Sequence, residues 1–250
     1  MNDAATPLSS PSARTATAGW FGKLPMLGDF ASRRLPDAFI KPWDEWLQAS
    51  LMTCKETTGE RWLDLYLTFP VWRFVVSAGL IGDSCWIGVL LPSVDRVGRC
   101  FPLTICEAVS RHSLEDSGLI VIDRHLSALA EVGIEALDAS AVDFLEQRLA
   151  TLEPLEPDAP CAMIALEAWL PAQLQDPGQG RLPAKQGAAW PLHGSMPAVL
   201  SAAASRFVVA ALAGRVLWWS PAGSDKGSGA LLLEPYPFSG RLLGNLIGTG

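Results

Sequence analysis

The sequence is poor in the residues that most often carry chemistry. It has three histidines, His112, His125 and His193, and none stands at ligand spacing from a partner, so no zinc set emerges. Its five cysteines, at 54, 85, 100, 106 and 161, are odd in number and include no CxxC pair. That usage suits buried free thiols in a reducing compartment rather than a disulfide framework. Positive charge is short as well: 19 Lys and Arg face 26 Asp and Glu, for a net charge of −7 and a pI near 5.0. A nucleic-acid binder needs a basic face, which argues against that class without excluding a local basic patch. No apolar run is long enough to cross a bilayer, since the longest, near 207–219, is broken by Gly214 and Arg215. Residues 1–18 lack the apolar core of a signal peptide and read as a disordered leader rich in Ala, Ser, Thr and Pro. A soluble, cytoplasmic protein without membrane insertion is expected.

What is present is a globular composition. Of 250 residues, 49% are apolar and 18% charged, enough for one large domain with a sizeable core. Ten tryptophans against two tyrosines is an unusual ratio. Some of those indoles should fill the core and some should sit at a surface that a partner covers.

The pattern of apolar residues sets the elements. A short strand is expected at 20–23, then a loop at 24–32 punctuated by Pro25 and Gly28. Asp37 caps a first turn and Pro42 suits the first turn of a helix using Phe39, Trp43, Trp46, Leu47 and Leu51. Leu63, Leu65 and Leu67 alternate with polar residues, the period of a half-buried strand. Strands follow at 72–78 and 85–91, joined by a Gly-rich turn, and at 102–109. A helix using Leu119, Ile122, Leu126 and Leu129 precedes one that starts at Ser140 and stops before Pro154. A strand at 161–167, a Pro/Gly-rich loop at 171–197, a helix at 197–213, strands at 216–219 and 230–233 and a closing helix at 239–247 complete the order. The fold class is α/β: a mixed β-sheet with helices on both faces, a layered α/β/α sandwich, in a single domain over 19–250.

Two loops concentrate Gly, Pro and charge. The first contains Gly22, Lys23, Pro25, Gly28 and Asp29. Its spacing departs from a phosphate-binding P-loop, because Pro25 follows the lysine and Asp29 repels an anion. Lys23 and Asp29 are placed to pair across it. The second runs from Ser93 through Asp95, Arg96, Gly98 and Arg99, between two strands. As a catalytic base or metal ligand Asp95 has no second carboxylate or histidine near it in sequence. Arg96 and Arg99 suit bidentate recognition of a partner or pairing with nearby acids. No Gly-x-Ser-x-Gly elbow is present. Cys100 and Cys106 read as buried rather than nucleophilic. If 217–220 is a strand, Trp218 and Trp219 point to opposite faces, and a sheet covered on both sides buries both.

At these residues the sequence resembles the TagF family of type VI secretion-associated proteins. The resemblance is carried by Gly19 to Pro25, by Gly28-Asp29-Phe30 with Arg33 and Leu35-Pro36, by Trp43 and Trp46, by Pro70 to Phe74, and by Trp86 to Val89 leading into Pro92 to Arg99 and Phe101 to Thr104. It is strong over 19–110 and holds only in outline beyond, at Leu217 to Ser220. It implies an α/β layered sandwich and no enzyme activity or cofactor. The implied role is that of a cytoplasmic accessory protein of a Gram-negative type VI secretion system, a post-translational repressor that binds a forkhead-associated (FHA) domain scaffold protein. Some relatives are fused to a PppA-type phosphatase domain, whose Asp-rich metal motifs this sequence lacks.

From the residues themselves, the two loops are expected to lie together at one edge of the sheet. They then form part of a partner surface, with Lys23, Asp29, Arg33, Asp95, Arg96 and Arg99 as its candidate residues, or serve only to hold the fold. The competing classes are a hydrolase using Asp29 or Asp95 with a histidine, and a structural subunit of the secretion machine.

Overall fold

A computed structural model describes residues 18–155, 208–221, 229–239 and 242–248. The expected leader up to residue 17, the strand at 161–167, the loop at 171–197 and the first part of the helix at 197–213 lie outside the described residues.

Seven strands form one sheet: β1 (Gly19–Gly22), β2 (Ala31–Arg33), β3 (Trp72–Val76), β4 (Cys85–Leu91), β5 (Leu103–Val109), β6 (Arg215–Ser220) and β7 (Ala230–Pro235). Their order across the sheet is β2-β1-β5-β4-β3-β6-β7. Every pairing is antiparallel, so the mixture is one of helices and strands and not of strand directions. The helices named among the described residues are α1 (Asp37–Thr58), α2 (Trp62–Leu67) after a 3-10 turn at Gly59–Arg61, α3 (Arg111–Leu137), α4 (Val142–Thr151) and α5 (Leu242–Gly248).

Alternation along the strands divides the core into two layers. Trp72, Phe74, Trp86, Leu90 and Trp218 face α1, α2 and α5 in an aromatic layer. Val75, Ile87, Val89, Ile105 and Trp20 face α3 and α4 in a mainly aliphatic one. In the aromatic layer Trp43 lies 4.9 Å from the Phe74 ring and 5.0 Å from Phe39, and its indole donates to Thr104 Oγ1 at 2.9 Å. Gly88 is needed because a Cβ there would press on the Phe74 ring and the β5 backbone.

Several elements differ from expectation. The Leu63-Leu65-Leu67 segment is helical, not a strand. Trp62 and Tyr66, one turn apart and 5.1 Å between rings, supply the inward contacts, while Leu63 and Leu67 are about half exposed. The leucines alternate along the sequence, but the burial follows the helical period. Helix α1 starts directly after Pro36, so Pro42 sits inside it rather than in its first turn, and Asp37 makes no side-chain cap bond. Part of the first loop closes into the short edge strand β2. Gly118, with φ of 74°, breaks α3, so the periodic stretch from Leu119 onward is a separate run. No described tryptophan is exposed: six are buried, and Trp62 and Trp219 are half-buried. The indoles expected at a partner surface are not found among the described residues. Trp218 and Trp219 do face opposite layers, Trp218 fully buried and Trp219 donating its indole N–H to Asp123 at 2.7 Å.

Candidate functional site

The two loops meet at the β2-β1-β5 end of the sheet, as expected. Gly22 starts the first loop with φ of 140°, and a Cβ there would collide with the Pro102 carbonyl. The backbone of β1 therefore runs directly against the start of β5. This close approach brings Lys23 beneath the second loop. Ser93 Oγ donates to the Lys23 carbonyl at 2.6 Å, and the Arg96 amide donates to the Leu27 carbonyl at 2.8 Å. From below, the Tyr66 hydroxyl donates to the Ser93 carbonyl at 2.7 Å and accepts from the Ser93 amide at 3.1 Å. Burial pushes the Tyr66 phenol well above its ordinary value, against the smaller opposing effect of its Ser93 bond.

At the centre of this contact is Asp95, whose side chain is fully buried. Its Oδ2 pairs with Lys23 Nζ at 3.1 Å and with Arg99 Nε at 2.6 Å. Its Oδ1 accepts from the backbone amides of Val97 at 3.0 Å and Arg99 at 2.9 Å. Burial alone would raise this carboxyl. The hydrogen bonds from Arg99, Lys23 and the Val97 amide outweigh it and hold the group well below the usual carboxylate range. Arg99 also donates through Nη2 to the Gly28 carbonyl at 2.5 Å, tying the loops a second time. Lys23 Nζ lies 4.8 Å over the ring of Phe30, and Phe30 packs edge-on to Phe101 at 4.7 Å.

The expected Lys23–Asp29 pair does not form. Asp29 instead accepts from the neighbouring Phe30 amide at the surface, because Lys23 turns inward to a carboxylate that has lost its water and attracts it more strongly. Arg33 does not join the two loops either. It is exposed and donates to the neighbouring Ser32 carbonyl at 3.3 Å, while Arg34 forms an ion pair with Glu146 of α4 and Trp20 donates its indole to the same carboxylate at 2.6 Å. Burial opposes ionisation of Glu146, yet Arg34, Trp20 and the nearby charge of Arg33 together lower its pKa. Arg96 keeps its guanidinium beside Gly28. The exposed crest of the site is Phe30, Arg96 and Val97, with Phe30 44% and Val97 68% exposed.

Neither Asp29 nor Asp95 has a histidine among its partners in the described residues. A carboxylate and an imidazole do meet elsewhere. Glu107 on β5 and His125 on α3 are about nine-tenths buried and share a hydrogen bond of 2.5 Å from Nε2 to Oε1. From the sequence His125 reads only as a surface or half-buried imidazole and Glu107 is passed over, although Glu107 follows Leu103 and Ile105 on the inward face of its strand. A carboxylate at that position needs a partner. Nearby Arg73 of β3 pairs with Asp123 of α3. Burial raises the thiols of Cys100 and Cys106, the latter fully buried, which suits packing and not nucleophilic use. His193 and Cys161 lie outside the described residues.

The family model described as TagF N-terminal domain, type VI secretion system-associated, matches residues 19–152. The chain belongs to this family. Both loops and both core layers through α4 fall inside the TagF match. The chain is also similar to a solved protein, the crystal structure of PA0076 from Pseudomonas aeruginosa PAO1 at 2.05 Å resolution. The two are 28% identical with a TM-score of 0.66, over 93% of this chain and 95% of that one. No curated protein matches. Among the described residues no helix is long and apolar enough to cross a membrane, and no group of three or more His, Cys, Asp or Glu could hold a metal ion.

Proposed function

We propose that this TagF-family chain is a cytoplasmic, post-translational negative regulator of a bacterial type VI secretion system, and that it acts by binding an FHA-domain scaffold protein. It is a binding protein and not an enzyme. Family membership supports the secretion-system role. The observation that carries binding over catalysis is the saturation of Asp95. Both its oxygens are occupied by Lys23, Arg99 and two amides, so it has no lone pair to offer a substrate proton.

The same bonds make the two loops one rigid body, and a pre-ordered surface loses little entropy on binding. Of the six candidate residues, Lys23, Asp95 and Arg99 position the surface, while Arg96, exposed beside Val97 and with its guanidinium against Gly28, touches the partner. Arg33 and Asp29 are secondary. An exposed aromatic beside a guanidinium is a common interface anchor.

The test is calorimetric titration of the intact protein with the FHA-domain scaffold of the same secretion cluster, phosphorylated and unphosphorylated. Saturable binding at roughly micromolar affinity or tighter is expected. Failure to bind either form contradicts the reading.

A further inference from the structure

The Glu107–His125 pair lies at the wall of a cavity of about 690 Å³ between α3 and the segment that follows α4. Small-molecule sites commonly fall in this size range, with apolar walls and a few convergent polar groups. Here Val121 and Ala128 of α3 form one apolar wall, and Leu152, Pro154 and Leu155 form the other. The polar groups on the α3 side are Arg124 and His125.

Three features separate this cavity from a packing gap. The imidazole is fixed by a buried carboxylate at one ring nitrogen, Nε2, an arrangement that sets ring orientation wherever histidine meets a ligand. Its other nitrogen, Nδ1, is then the acceptor of the ring and has no partner among the described residues. Arg124 is exposed and has no acidic partner among the described residues, although the chain as a whole is acidic. Arg73, Arg34, Arg99, Arg111 and Arg148 are each paired with a carboxylate; Arg124 is among the arginines that are not, and it lines this cavity.

We infer that this cavity is a binding site for a small amphipathic anion. The anionic head sits against Arg124, a hydroxyl or N–H group beside the head donates one hydrogen bond to His125 Nδ1, and the apolar body lies between the Val121–Ala128 and Leu152–Leu155 walls. Glu153 is an acidic residue of the lining, on the wall across from α3. This site is separate from the loop surface and does not depend on it.

The experiment is fluorescence titration of the intact protein with anilinonaphthalene sulfonate, an aromatic anion, and with phenylnaphthylamine, a neutral probe of similar body. One saturable site for the anion is expected. Its Kd should rise about tenfold or more in Arg124→Glu, as loss of a charge-assisted hydrogen bond predicts, and return near the starting value in Arg124→Lys. Glu153→Gln should bind at least as tightly as the parent. Arg124 is exposed, so folding should survive its substitution, and an unchanged thermal midpoint checks this. Arg124→Glu binding the anion as tightly as the parent overturns the site. So does a parallel loss of the neutral probe, or a titration that fails to saturate.

Discussion

Asp95, in the loop before β5, and Glu107, on β5 itself, are both buried carboxylates, yet they do opposite things. Asp95 ends its search for partners inside the protein: two cations and two amides fill both oxygens. Glu107 spends one oxygen on His125, whose second ring nitrogen is left over at a cavity wall. The first arrangement ties loops together. The second holds a side chain ready for something else. How far a buried polar group is satisfied therefore separates scaffolding from chemistry better than burial or charge alone does.

The comparison breaks first at Asp95. Asp95→Asn keeps the shape but strands the buried Lys23 without a counter-charge. Removing one partner of a buried pair is costly, and a fall in the thermal midpoint on the order of 10 °C is expected by calorimetry. Glu107→Gln retains an acceptor for His125 and should lower the midpoint by only about 3 °C. Equal losses at the two positions would erase the distinction.

Acid titration sharpens it further. Asp95 and Glu146 both have folded-state pKa values lowered below their ordinary values. Their unfolded forms bind protons more readily, so the stability they contribute is fully present above the ordinary carboxylate range, near 4, and is lost as pH falls through the lower folded values. Midpoints measured from neutral pH downward should therefore decline below about pH 4, and Asp95→Asn should make that decline shallower. An identical acid slope in the variant would contradict the assignment of Asp95 as a stabilising ion. The smallest effect on stability belongs to Arg96. Its guanidinium has no acid partner among the described residues, so Arg96→Glu should shift the midpoint by no more than about 1 °C.

Much of the frame was legible in the sequence. Strands β3 and β4 declared themselves through dense Val, Ile and Trp bounded by turn residues, β5 was expected after them, and the two loops stood out by their Gly, Pro and charge. Periodicity failed at Leu63 to Leu67, where five residues are too few to tell a helix from a strand. Only the contact of Trp62 with Tyr66 decides it. The pairing of Lys23 was misread for a related reason. Asp29 is six residues away along the chain and Asp95 is seventy-two, and sequence distance says nothing about which carboxylate has been stripped of water. Glu107 and His125 carried a readable signal, a polar residue on each of two apolar faces, but pairing them needs the packing of α3 on β5.

The central claim is that the Asp95 network builds a rigid surface whose contact group is Arg96. Calorimetric titration of the FHA-domain scaffold against the parent and Arg96→Glu, at matched thermal stability, tests it most directly. The account predicts binding by the parent and a loss of about tenfold or more in the variant with its midpoint unchanged. Equal affinity of the two proteins would contradict it.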